Sequence, residues 1–282
     1  MINMIDNKAL KEKYNPEGSK LRQNQLELVE VLVDLAKICD ENNIKWWLSS
    51  GTLLGAARHG GFIPWDDDID ITMRRRDFKR LQRILHKLDS DKYVYQSMHS
   101  DIEYTNIFGK FRKRDGEVEI YGGRYKFLNY KGKFVDIFPM EFTNYIAARA
   151  SRVIYVNLQH ITLHINTKWF RHIMIRFIQF LCLCVINPIL RVIGLINPRR
   201  EYHYALGSGW AKHTFYMKNT FPLTTARFEG HEFPVPKDMD AYLTNVYGDW
   251  RKLPTDEQIR SSIHSEEYVE EIFGVKRKNQ YR

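Results

Sequence analysis

The feature that most constrains this chain is the run Trp65-Asp66-Asp67-Asp68-Ile69-Asp70-Ile71, which places four carboxylates in five consecutive positions. On a strand, alternate residues face the same way, so Asp68 and Asp70 present their carboxylates to one point while Ile69 and Ile71 turn towards a core. Asp66 joins them if the strand extends back that far. Like charges at this spacing raise one another's pKa unless a cation lies among them, and oxygen ligands suit a hard divalent ion, Mg²⁺ or Mn²⁺. Such ions commonly bridge substrate phosphates, so the run points to phosphoryl or nucleotidyl transfer more than to hydrolysis of neutral bonds. A solvated acidic turn is the alternative. The preceding loop weighs against it: Gly51 permits close backbone approach, and the hydroxyls of Ser50 and Thr52 stand where a helix is expected to begin, a ready place for phosphate oxygens.

Around this run the chain reads as a mixed fold. Leu21, Leu28, Leu32, Leu35 and Cys39 recur at helical spacing through residues 20–43 and predict an amphipathic helix. Short strands are expected over 45–48 and 69–73, with residues 49–61 forming a turn into a short helix, and Asp77 is a plausible N-cap for a helix ending near Leu88. Three β-type segments follow, over 93–98, 106–114 and 133–138. From Asn144 to Ile196 the character becomes basic, aromatic and helical, which marks a boundary. A hairpin at 228–233 and a helix over 238–247 complete the expectation. The organisation expected is a catalytic core over 20–143, a helical insertion over 144–205, and a C-terminal part, 206–282, that completes the domain.

The 43 Lys and Arg outnumber the 34 Asp and Glu, for a net charge of +9. That balance suits an anionic partner, whether nucleic acid, a phosphate-bearing substrate or a membrane surface. The composition carries no bias towards disorder, collagen or coiled coil. Residues 1–22 are studded with charge and contain no apolar stretch of the signal-peptide type, so a cytoplasmic protein is expected. The three cysteines, Cys39, Cys182 and Cys184, are odd in number and read as buried thiols in a reducing compartment. The most apolar segment, 177–190, spans about 21 Å as a helix, short of a hydrocarbon core of about 30 Å, and is not expected to cross a membrane.

The residues around the acidic run also resemble the LicD family. The resemblance lies in the segment from Gly51 to His59, in Gly61-Phe62-Ile63-Pro64-Trp65-Asp66-Asp67-Asp68-Ile69-Asp70, and in Phe134-Val135-Asp136-Ile137-Phe138-Pro139. Phe228-Glu229-Gly230, Phe233-Pro234-Val235-Pro236 and Tyr247-Gly248-Asp249-Trp250 extend it to about residues 25–265. It implies an α+β fold of the nucleotidyltransferase (polymerase β-like) type, a mixed sheet core with flanking helices and a mainly helical insertion. It also implies three acidic ligands, for which Asp68, Asp70 and Asp136 are the candidates, with Asp66 as a further metal ligand. The implied activity is metal-dependent transfer of phosphocholine, or another phospho-alditol or phospho-sugar, from CDP-choline or a related CDP-alcohol to a glycan or lipid-linked glycan acceptor. Transfer of the nucleotide itself is the second enzymatic reading. A basic membrane- or nucleic-acid-binding module with structural acids is the third, and the resemblance gives no reason to expect nucleic acid.

Other residues admit two readings each. Lys110, Arg112 and Arg114 alternate along a strand and offer either a cationic rail for donor phosphates, with Lys110 the preferred member, or a solvated strand face. Arg58, beside the loop, is a further candidate for the donor phosphates. Trp65, with Trp46 and Trp47, could hold a quaternary ammonium group or pack in the core. His59 and His264 read as structural more readily than as catalytic. Arg74-Arg75-Arg76 read as a solvated turn. Residues 169–196 suit either peripheral membrane contact or a buried helix pair.

Overall fold

A computed structural model describes residues 7–117, 125–209 and 213–275. Helix α1 (Asn7–Tyr14) leads into α2 (Lys20–Glu41), whose predicted stripe is buried and whose N-terminus is capped by the Ser19 side chain. Strand β1 (Trp46–Leu48) precedes α3 (Ser50–His59), β2 (Ile69–Arg74), α4 (Arg75–Leu85), β3 (Tyr93–Gln96), β4 (Gly109–Lys113) and β5 (Phe134–Phe142). The helical region contains α5 (Tyr145–Ile161), α6 (Lys168–Phe180), a π-helical segment (Leu181–Ile186) and α7 (Asn187–Gly194). The chain returns through β6 (Glu201–Tyr204), β7 (Phe215–Tyr216), α8 (Met217–Thr220), the hairpin β8 (Thr224–Phe228) and β9 (His231–Val235), and helices α9 (Met239–Tyr247), α10 (Asp256–Ser262) and α11 (Glu266–Phe273).

The sheet is mixed, in the order β1-β2-β5-β4-β3, with β6 pairing the far end of β5 and β7 pairing β6. Strand β2 runs parallel to β5 and brings Asp70 beside Asp136, while β4 runs antiparallel to β5 and brings Lys110 beside the same Asp136. One rung of three adjacent strands therefore reads Asp70, Asp136, Lys110. Alternation assigns the other face to Ile69, Ile71, Val135 and Ile137, all fully buried. Helices α2 and α4 pack against the sheet, and one continuous core takes in residues from α2 through α11. The insertion contributes only two small clusters, Ala148 with Leu206 and Tyr155 with Ile178 and Cys182.

Most predicted elements lie where periodicity placed them, with three departures. Helix α4 starts at Arg75 with Arg74 at its N-cap, so Asp77 sits inside the first turn, where its charge meets the helix amide ends and pairs with Arg80 at 3.5 Å. Cys39 and Cys182 are buried, but Cys184 is exposed. Arg74 stacks on Phe221 and Arg75 pairs with Glu141, so only part of the arginine triplet is a solvated turn.

The candidate active site

Each acid of the run has a separate place. One oxygen from each of Asp68, Asp70 and Asp136 lies within 4.8 Å of the others. Asp67 turns away: its carboxylate accepts the backbone N–H groups of His264, at 2.9 Å, and of Ser265, at 2.8 Å, and so holds the segment that leads into α11. Asp66 stands outside the group of three. Its carboxyl lies against Gly51, where an added Cβ would overlap it, and this close approach is the reason for glycine at that position.

Burial pushes the Asp70 carboxyl well above the usual carboxylate range, and the charges of Asp68 and Asp136 push it further. Asp66 is raised in the same way, first by burial and then by Asp68 and Asp67. Asp68 is also raised by burial, with His264 acting against the shift. Three carboxylates held this close, with their oxygens converging, fit a hard divalent cation, which would offset their mutual repulsion. The fit lies in the donor set, which is all oxygen, from Asp68 just before β2, Asp70 on β2 and Asp136 on the adjacent β5.

One cation already beside the cluster is Lys110. Its Nζ donates to Asp136 Oδ1 at 2.5 Å and lies 3.4 Å from the centre of the Phe134 ring. Burial lowers the ammonium to about 8, against the pull of Asp136. Lys110 thus offsets one carboxylate of the cluster rather than standing free as a rail. Arg112 is not a solvated strand residue: it is wholly buried, donates to the Gln96 side chain at 2.6 Å and borders the cavity with Lys110. Arg114 bonds the Ser90 carbonyl at the exposed end of the strand.

The loop residues divide by role. Ser50, with φ of 48°, opens α3 and lines the cavity together with Gly51 and Arg58. Thr52 is buried, and its Oγ1 accepts the Asp70 N–H at 2.8 Å, so it fixes the ligand strand instead of offering a hydroxyl to phosphate. Thr52→Val should therefore cost about 1–2 kcal/mol, because it leaves that N–H without its acceptor. Thr52→Ser should recover most of the loss in a denaturant melt; equal stability of all three forms would contradict the assignment. Arg58 donates to the Trp250 carbonyl at 2.9 Å, which joins the loop to the segment after α9.

Aromatic residues line the cavity, and of the three tryptophans considered only Trp65 is among them. Trp46 and Trp47 belong to the core, packed on Phe233 and Phe221. Trp65 borders the cavity yet is mostly buried against Tyr14. The walls are supplied instead by Tyr104, Phe134, Tyr204, Tyr247 and Trp250, around a volume of about 1180 Å³. Phe134, Tyr247 and Trp250 fall in segments that carry the family resemblance, whereas Tyr104 and Tyr204 lie outside them and had no local signal.

The two histidines separate cleanly. His59 bonds Asn7 and accepts from Arg58, and burial lowers it to about 3, in keeping with a structural role. His264 is at the site: Nδ1 lies 2.9 Å from Asp67 Oδ1 and 3.4 Å from Asp68 Oδ2. Asp68 is the largest influence holding its imidazole up, to about 10. Nothing near residue 264 in the sequence signals this, because the link is made by Asp67 nearly two hundred residues earlier.

Buried polar residues of α2 complete the site. Gln25 donates to the Asp66 carbonyl at 2.8 Å and Asn24 to the Asp67 carbonyl at 3.1 Å, so the helix that fills the core also holds the acidic loop. Glu229, at the tip of the β8–β9 hairpin, accepts from the Phe62 N–H at 2.9 Å and from Arg22 at 2.8 Å. The segment from Gly60 to Asp66 is thereby fixed from both sides.

A mixed sheet thus presents three clustered carboxylates to an aromatic-walled cavity. Residues 43–174 match the LicD/FKTN/FKRP nucleotidyltransferase domain. The chain therefore carries a LicD-family domain over these residues, and its likeness to a full-length relative supports a LicD-type phosphotransferase. It is 27% identical over 275 residues to the lipopolysaccharide cholinephosphotransferase LicD of Haemophilus influenzae, covering 88% of this chain and 98% of that protein. An uncharacterised Rickettsia prowazekii protein is 43% identical over 82 residues, 29% of each chain. The mouse ribitol 5-phosphate transferase FKRP is 38% identical over 47 residues, 17% of this chain and 10% of that one.

Proposed function

We propose that this protein transfers phosphocholine from CDP-choline, or a related phospho-alditol from its CDP-alcohol, to a sugar hydroxyl of a cell-surface glycan precursor. The proposed fold is of the nucleotidyltransferase type, with Asp68, Asp70 and Asp136 holding Mg²⁺ or Mn²⁺. The observation that carries this reading is the convergence of those three carboxylates beside Lys110 in the cavity. A divalent ion held there would offset charge on the donor's phosphates and on the departing nucleotide. Lys110 and Phe134 shape the Asp136 side of the cluster, Thr52 fixes the Asp70 strand, and Ser50, Gly51 and Arg58 border the space beside them.

The aromatic walls support choline, because ring faces attract a quaternary ammonium group. The likeness to a ribitol 5-phosphate transferase supports the phospho-alditol version of the same chemistry. The free thiols Cys39, Cys182 and Cys184 suit the reducing cytoplasm.

The purified protein should release CMP from one of CDP-choline, CDP-ribitol or CDP-glycerol, given a glycan acceptor and Mg²⁺ or Mn²⁺, and should cease to do so in EDTA. Release that is indifferent to EDTA would remove the metal from the account. Consumption of CTP with release of pyrophosphate would favour nucleotidyl transfer instead.

A further inference from the structure

Helix α6, the π-helical segment and α7 run on as one helix from Lys168 to Gly194, 27 residues and apolar enough by composition to cross a membrane. At 1.5 Å per residue this is about 40 Å, so the expected shortfall in length does not hold. Pro188 falls in the first turn of α7, after the π segment, and does not interrupt the run. What opposes a crossing is how the helix is held. Arg171 donates to Glu103 at 2.7 Å, Arg176 to the Met98 carbonyl at 3.1 Å, and Arg191 to Glu141 at 2.9 Å. These bonds clasp one face to the catalytic body along its length.

The opposite face is open. Trp169 is 67% exposed, Phe177 55%, Val192 68% and Ile196 75%. From Asn144 to Arg200 the sequence contains Arg149, Arg152, Lys168, Arg171, Arg176, Arg191, Arg199 and Arg200, and neither Asp nor Glu. Beside it lies a second basic surface, where Arg75, Arg76, Lys79, Arg80 and Arg83 of α4 border one hollow. Arg75, at 3.4 Å, and Arg191, at 2.9 Å, share Glu141, so this basic face meets the end of the apolar one.

We propose that this combined face docks on an anionic lipid bilayer, with the apolar side chains entering the interface and the α4 basic residues meeting lipid phosphates. A two-fold pairing with a second copy would set basic surface against basic surface, which favours the lipid. Leu163, between α5 and α6, lines the active-site cavity, so docking would bring that cavity close to the bilayer surface. That the acceptor is then carried on a lipid rests on the transfer reading above; the docking itself does not.

Flotation of the full chain with phosphatidylcholine vesicles, with and without equimolar phosphatidylglycerol, tests this. The wild type should float with the anionic vesicles, less so as salt rises. The double variant W169E/F177E should bind at least ~30-fold more weakly, and R76E/K79E about 10-fold more weakly. Both variants should retain the wild-type circular dichroism spectrum and wild-type CMP release. A wild type that stays with the soluble fraction, or an apolar variant that floats as well as wild type, overturns the proposal. So does a wild-type dimer that W169E/F177E converts to monomer, since the face would then belong to a second copy. Failure of the transfer reading would appear as absent CMP release with flotation unchanged.

Discussion

Asp70→Asn should lower kcat by on the order of 10³-fold or more while leaving the metal-free protein as stable as wild type, or more so. The two halves come from one arrangement. Asp70 shares its rung with Asp136 and is pushed towards its neutral form by burial and by its acidic neighbours, so an amide of the same shape removes repulsion without opening a void. The same change deletes one of three oxygen donors that would hold a divalent ion, and the charge that attracts it. Thermal melts with and without Mn²⁺ separate the effects: wild type should gain stability from the ion and Asp70→Asn should gain little. A variant that keeps its activity, or that melts well below wild type without metal, would show that Asp70 serves the fold and not the chemistry.

Glu229→Ala should cost about 3 kcal/mol, or about 6–10 °C in Tm. Glu229 and Arg22 are both largely buried, at 10% and 13% side-chain exposure, and removing the carboxylate leaves the guanidinium and the Phe62 N–H without that partner. Glu229→Gln keeps an acceptor for the amide and should lose less. Burial alone would raise the Glu229 carboxyl, but its bonds to Arg22 and the Phe62 N–H outweigh it and hold the group below the usual glutamate range. A depressed folded value means that the stabilisation is present above the ordinary glutamate pKa and is lost as pH falls through the lower, folded one. The gap in Tm between wild type and Glu229→Ala should therefore narrow on acidification. A gap that is constant with pH would locate the cost in packing.

Local pattern carried the centre of this molecule. The period of two across Asp68-Ile69-Asp70-Ile71 separates cavity-facing from core-facing positions, and the period of 3.6 across Leu21 to Cys39 finds α2, because both are properties of local pattern. Asp136 needed the family resemblance, since one acid on an apolar strand has no local signature of pairing with Asp70. Alternation put Asp66 on the face of Asp68 and left Asp67 off it, and only the tertiary fold has Asp67 hold the segment before α11 and sets Asp66 against Gly51. Gln25 and Asn24 lie between apolar positions of α2, where spacing gives no hint that their amides hold a loop some forty residues away. The length of the insertion helix was misjudged because Gln179, Asn187 and Pro188 looked like interruptions; two of them, Gln179 and Asn187, are buried, Gln179 accepting from Arg176 one turn earlier and Asn187 donating to the Leu206 carbonyl.

The most direct test of the central claim is the mass of the acceptor glycan after incubation with the CDP-alcohol that supports CMP release. Substituted-phosphate transfer at the Asp68, Asp70 and Asp136 site predicts an acceptor heavier by the phospho-alcohol alone, with free CMP formed in equal amount and neither product formed by Asp70→Asn. An acceptor heavier by a nucleoside monophosphate, or one left unchanged while CMP accumulates, would contradict it.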